Sequence, residues 1–457
     1  MTPTTSTSDT PPDPIQIEPA PRWRLGLVDP APGGAAWVTQ RRDDPLGYAL
    51  HLLCGLLALA AITLPTSIME FALVPALIAS IVRTPRLWRT WGALALQPHI
   101  LALLAWVGVQ ALSYLWTGDR QQWLDEFGVV RFALLPLLIW PLLAHRDALI
   151  LALGLGLLLG VGVQALHLIG VTLDVGWLDW QRKPGRVSGW WDPVVGGTIL
   201  TAGVGLFLAP PPPALERKRW RLLVIGALML VGVALTGTRG AWLACVGLVA
   251  VAIALALVRA ANRRALLRAG AVALPVVALL AGGVWWLAGE RIADRARAGY
   301  DEVSAAIEDR RFNTDTGTRL LLNWWAIEAF AERPITGVGV GGYRAWCAEH
   351  LERQDIPPDR YLLHGHAHNA ALHTLATTGL MGFVPAFACV AFVLAGAFAH
   401  RDWLAPGVAL VGLLLVSVFD TIHVNQQTAA VFFAIVALCP TWTPSTGSMR
   451  RTRTDRG

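Results

Sequence analysis

"ALILALGLGLLLGVGVQALHLIG" (residues 148–170) decides the fold class. The stretch holds no charged residue. About 20 apolar residues, coiled as a helix, cross the ~30 Å hydrocarbon layer of a membrane. The apolar residues run continuously, whereas a barrel strand alternates with period two. Lipid offers no partner for a bare backbone amide, so only helices or closed barrels span it. The stretch therefore predicts a transmembrane helix.

Similar blocks recur along the 457 residues, which are 54% hydrophobic and only 15% charged. A soluble domain carries about 25% charged residues. Twelve spans are expected, at about 47–66, 67–82, 94–116, 127–143, 148–169, 194–209, 220–237, 241–258, 269–288, 379–399, 405–420 and 427–440. The expectation is an all-α polytopic membrane protein.

The formal charge of +6 does not point to nucleic acid. Its cations sit in short clusters between apolar blocks, such as Arg83, Arg86 and Arg89, "ERKRWR" (216–221) and Arg263, Arg264 and Arg268. With both termini in the cytoplasm, more than half of the 37 Lys and Arg residues fall inside, and the short outside loops hold only five. That asymmetry follows the positive-inside rule. The same topology divides the chain into a disordered tail (1–45), nine spans (46–288), a large extracytoplasmic loop (289–378), three spans (379–440) and a basic tail (441–457). The Thr/Pro-rich start lacks the apolar core of a signal peptide. The five cysteines are scattered and suggest neither disulfides nor a CxxC metal motif.

A loop of ninety residues is too long for a connector and is expected to be ordered and functional. "RIADRARAGYDEVSAAIEDRR" (291–311) and "TGTRLLLNWWAIEAFAERP" (316–334) both read as helices, the second with a proline stop. "GVGVGG" (337–342) has no strand–helix frame around it and reads as a flexible turn.

Several cations fall on the outside face. Arg131 lies about one turn inside the fourth span, where a charge usually faces a cavity. Arg186 is followed by a Gly-containing turn and by Trp190 and Trp191, which suit an interfacial belt. Arg239 sits in a tight outside turn, and Arg319 opens a loop helix, where a cation opposes the helix dipole. Arginine forks grip phosphate bidentately and stay charged.

Four of the eleven histidines crowd into "HGHAHNAALH" (364–373). An HxHxH run suits zinc. Asp355 and Asp359 are the nearby acidic candidates, but no familiar metal spacing results, and no metal or cofactor is expected. Asn369 suits a helix N-cap. A general base explains more, because imidazole titrates near ~6.5. A histidine that deprotonates a hydroxyl, beside arginines that hold a departing pyrophosphate, predicts transfer from a lipid-linked donor at the outer leaflet.

These motifs resemble the O-antigen ligase family, within the wider group of O-antigen polymerases and bacterial protein O-oligosaccharyltransferases. The resemblance follows the whole span pattern. It is strongest over "TGTRGAWLA" (236–244), "NTDTGTRLLLNWWAIEAFAERPITGVGVGGY" (313–343) and "HGHAHNAALHTLATTGLMG" (364–382). It implies a metal-independent glycosyltransferase of the GT-C type in the bacterial inner membrane, with its active site on the periplasmic face. Its donor would be undecaprenyl pyrophosphate-linked O-antigen, its acceptor the lipid A–core, and its surroundings membrane lipids. His368, Arg239 and Arg319 match the family's catalytic positions, while Arg186, Arg131, His366 and Asn369 are expected to bind substrate. His364 departs from the family pattern. A polymerase or a protein transferase would share the chemistry, and the short end after the last span favours the ligase. A transporter for anionic lipids would also want cavity arginines, but not a histidine–asparagine pair.

Overall fold

The computed structural model describes residues 40–179, 185–211, 213–259, 282, 289–290, 293–353, 364–399 and 403–439. Among these residues every regular element is helical. The chain runs through α1 (Pro45–Ala61), α2 (Thr66–Val82), α3 (Thr84–Ala95), α4 (Pro98–Leu112), α5 (Arg120–Val129), α6 (Leu135–Ile139) and α7 (Arg146–Leu173). It continues through α8 (Pro193–Leu208), α9 (Arg219–Leu235), α10 (Arg239–Arg259), α11 (293–308) and α12 (Asp315–Glu332). The last four are α13 (Gly342–Arg353), α14 (Ala370–Ala399), α15 (Leu404–Ser417) and α16 (Gln426–Leu438).

Among the described residues, three helical runs are long and apolar enough to cross a membrane: Pro98–Leu115, Arg120–Leu173 and Ala370–Ala399. The second is 54 residues long and holds the fourth and fifth expected spans. Pro136 and Pro141 interrupt it with 3-10 turns, since proline lacks the amide an α-helix needs. Five shorter helices among the described residues are also apolar, including α1, α8, α15 and α16. The expected span at 269–288 lies, but for Gly282, outside the described residues. So do the chain termini before 40 and after 439.

Helix α3 was not anticipated, nor were most of α5 and all of α13. After Arg83 the chain turns by 98°, and α3 leaves the line of α2. Buried Arg83 secures the corner through Asp44 (3.0 Å) and His51 Nδ1 (2.8 Å).

The bundle is organised around α8, almost all of which is buried. It packs against α9 and α15. Small residues let those backbones close, as they do in membrane helix pairs. A Cβ on Gly205 would stand 2.8 Å from the Ala409 Cα. Outer helix faces carry Leu50, Leu53 and Leu57 on α1, and Phe71 and Ile78 on α2, all exposed as a lipid-facing surface would be. Trp191 is not part of an interfacial belt. It is wholly buried and donates its indole N–H to the Thr63 carbonyl at 2.8 Å.

The loop region has a second, separate core. Leu322, Trp325 and Ala329 of α12 pack with Tyr343, Trp346 and Cys347 of α13 and with Ala376 of α14. "GVGVGG" is not a flexible turn. Its valines 338 and 340 are buried, and its backbone pairs with α14. The amides of Val338 and Gly339 donate to the carbonyls of Ala376 and Thr377 at 2.8 Å each. In return the amides of Leu380 and Met381 donate to Pro334 and Ile335 at 2.9 and 3.1 Å. Gly379 breaks α14 between these pairs, with φ 58° and ψ −158°. The kink divides α14 into a short segment beside the loop core and a long apolar segment.

Candidate functional site

Four arginines gather where the loop region meets the bundle. Arg186 is buried and held by the turn after α9, donating from Nε to the Thr236 carbonyl and from a terminal nitrogen to the Thr238 hydroxyl, both at 2.8 Å. The Arg186 loop is itself pinned from α7. His167 Nδ1 accepts the amides of Ser188 (3.3 Å) and Gly189 (3.2 Å), and Gln164 donates to the Val187 carbonyl at 2.7 Å.

Arg239, the first residue of α10, pairs with Glu302 of α11 at 3.0 and 3.2 Å. Glu302 also accepts the amide of Thr316 at 3.1 Å, in the first turn of α12. Arg319 lies one turn inside α12, which starts at Asp315 behind the Thr314 cap. It therefore does not open the helix, and the dipole reason for its placement weakens. Arg295 of α11 is a fourth cation, which the sequence reading missed. Burial lowers its pKa, with the neighbouring charges of Arg239 and Arg319 acting the same way and Asp315 and Glu302 opposing. Arg186 is likewise lowered, to about 10, by burial first and then by Arg295. Arg186 remains a cation at neutral pH. Nη1 of Arg239 and Nε of Arg295 are buried with no hydrogen-bond partner among the described residues. Nothing in the sequence around Arg295 separates it from other loop arginines.

Arg131 is not drawn into this group. Its described partners are Glu70, the Gly128 carbonyl and the Phe132 ring.

The histidine segment leads into α14, and the charge of Arg319 reaches it through Asp420. His368 adopts φ 53°, a left-handed conformation uncommon outside glycine. Asn369 caps α14 by accepting the Leu372 amide at 3.0 Å, and it donates to the Val418 carbonyl at 3.2 Å. That bond ties the histidine segment to the turn after α15. Asp420 stands in that turn, 3.3 Å from His368 Nδ1. Burial works against its charge, but the His368 hydrogen bond and the charges of His366, His368 and Arg319 outweigh it and hold the carboxyl below its ordinary range. The pair is an imidazole oriented by a carboxylate, the arrangement a general base uses.

His366 stacks edge-on against His368, ring centroids 4.2 Å apart, with His364 at 5.3 Å from His368. Burial and the neighbouring imidazoles lower His366 to about 3. His373, given no role by the sequence, is buried with Nε2 3.7 Å from the Glu126 carboxylate. Glu126 also accepts the Gly341 amide at 3.1 Å, so it joins α5 to the glycine loop.

His366, His368 and Asp420 present ligand atoms within 4.8 Å of one another and are able to hold a metal ion. The acidic partner that the sequence lacked is thus supplied from 52 residues away. Asp355 and Asp359 lie outside the described residues.

The neutral histidines make stability depend on pH. His366 and His423 both ordinarily titrate at 6.5, and burial lowers each to about 3 in the fold. Between those values the unfolded chain binds more protons, so stability falls as pH drops below about 6.5. Asp420 adds the same sense at lower pH, losing its contribution as pH falls through its depressed value. The apparent melting temperature of the detergent-solubilised chain is expected to drop stepwise from pH 7 to 4.5. His423→Gln should flatten that slope, and an unchanged slope would discount His423.

The sequence profile of a family described as O-antigen ligase matches residues 224–387. That segment holds Arg239, Arg295, Glu302, Arg319 and the histidine cluster, but neither Arg186 nor Asp420. No curated protein matches the chain.

Proposed function

We propose that this chain, a member of the O-antigen ligase family, transfers O-antigen from undecaprenyl pyrophosphate to a hydroxyl of lipid A–core. The observation that carries the reading is the His368–Asp420 pair set beside the Arg186, Arg239, Arg295 and Arg319 cluster, with Arg319 close enough to act on both.

The chemistry follows from those groups. Asp420 is a carboxylate and accepts from His368 Nδ1–H, which leaves Nε2 with the lone pair. Nε2 takes the proton of the acceptor hydroxyl. The acceptor oxygen bonds to the anomeric carbon as the bond to the pyrophosphate oxygen breaks. The electron pair leaves on the pyrophosphate, where the arginines stabilise it. Pyrophosphate is a good leaving group, so no general acid is needed, and no step calls on a metal. The helix starts of α10 and α12 face anions favourably as well. In this reading the fold is of the GT-C type with twelve spans, both termini are cytoplasmic, and the arginine and histidine cluster opens on the periplasmic side of the inner membrane. The positive-inside charge pattern supports that orientation.

The purified chain, supplied with lipid-linked donor and separately with core, peptide or a second donor, is expected to glycosylate core. Product on peptide makes it a protein transferase, and chain growth on donor makes it a polymerase. Arg239→Lys is expected to lower transfer at least about tenfold, because lysine lacks the bidentate fork. Unchanged rates would remove Arg239 from the pyrophosphate site.

A further inference from the structure

We propose that His366, His368 and Asp420 form a binding site for a divalent transition metal of the Zn2+ type, and that its occupancy switches transfer off. The inhibitory half rests on the base assignment above, and the binding half does not.

Two imidazoles and one carboxylate are the donor set of zinc sites that keep an open position. The three ligand atoms already lie within 4.8 Å of one another. Tetrahedral ligands at ~2.0–2.1 Å from zinc stand roughly 3.3 Å apart. The His368 Nδ1 to Asp420 Oδ1 separation is 3.3 Å. His366 has to move in, and it sits in the non-helical segment 364–369, so no helix need break. Asp420 likewise lies beyond the end of α15.

His366 Nδ1 points to a ligand independently. It is buried and has no hydrogen-bond partner among the described residues. A buried, unanswered nitrogen carries the cost of its lost hydration, and a metal ion removes that cost. The sequence discounted a metal here for want of an acidic ligand at metal spacing. Folding brings Asp420 to the cluster and removes that objection.

Inhibition follows from proton bookkeeping on one ring. If the metal replaces the proton between His368 Nδ1 and Asp420, the proton of the neutral imidazole resides on Nε2. If it binds Nε2, the lone pair is occupied directly. Either way His368 cannot accept a proton from the acceptor hydroxyl. The arginine cluster is left unaltered, so donor binding persists.

The test uses the full chain in detergent, carrying no histidine tag and stripped with EDTA. Zn2+ titration against a chromophoric chelator is expected to show one saturable site per chain. Affinity should fall at least tenfold in His366→Ala and in Asp420→Asn, with melting temperature checking that both variants fold. Co2+ should give a tetrahedral absorption band that both variants lose. Transfer should fall with the same Zn2+ midpoint and return with EDTA. No stoichiometric binding, or binding and a Co2+ band indifferent to both variants, overturns the site. Variant-sensitive binding that leaves transfer untouched keeps the site and overturns the switch, along with the base assignment. Loss of transfer on chelation, restored by Zn2+, overturns the switch by making the metal a catalytic requirement.

Discussion

His368→Ala is expected to cut the rate of transfer by about 10²–10⁴-fold, the range a positioned general base contributes, while donor binding stays near wild type. In the proposed mechanism the imidazole takes the acceptor proton, whereas the donor's charge rests on arginines that lie on α10, α11, α12 and the Arg186 loop. Asp420→Asn should cause a large loss for a different reason. An amide neither carries the charge that stabilises a protonated imidazole nor reliably holds the proton on Nδ1, so Nε2 spends time as a donor. His366→Gln should cost much less, because His366 packs against the working ring and carries no proton in the proposed step. Single-turnover rates with purified donor and core separate these cases. Wild-type rates in His368→Ala would end the base assignment. A loss in His366→Gln equal to that of His368→Ala would transfer it.

The second large effect is structural. Gly379→Ala is expected to leave little folded, active protein. The residue sits at φ 58° and ψ −158°, a region that is essentially glycine-only. A Cβ there would also overlap the carbonyl of Ile335. The backbone alone costs about 1–3 kcal/mol. Relief of the clash would break the pairing of 334–339 with 376–381, on which the loop core depends. Gly341 shares this problem at the other end of the motif, with φ 71° and the backbone of Gln122 2.6 Å from a built Cβ. Gly162→Ala is the control, because a Cβ there meets nothing within 4 Å. Melting temperature and transfer should collapse together in Gly379→Ala and hold in Gly162→Ala. A normal Gly379→Ala protein would show that the kink is dispensable.

The two variants also separate what each motif does. "HGHAHN" bears the proposed base, and its neighbour Asn369 starts the helix behind it. "GVGVGG" bears no reacting group. Its glycines at 337, 339 and 341 all take positive φ, which lets the backbone lie against Thr377, Thr117 and Trp123. Apart from its glycines, the motif looks like a loose turn in one dimension, because its packing partners are distant in the chain.

Local physics made much of this protein legible from its residues. Continuous apolar blocks, low charge and clustered arginines determine a helical membrane protein, because helix formation and burial in lipid depend on neighbours in the chain. The Asn369 cap and the two loop helices at 293–308 and Asp315–Glu332 are local in the same way. The family resemblance to O-antigen ligases, carried by three short stretches, was also readable there. Only the tertiary structure decided which charges meet. Asp420 reaches His368 because α14 starts, and its neighbour α15 ends, at one face. Arg295 and Glu302 join Arg239 because α11 folds back over the start of α10. Arg131 reads as a cavity cation in sequence, yet it is satisfied by Glu70 of α2. Pairing between distant residues depends on the order of helices in the bundle, which no window along the chain contains.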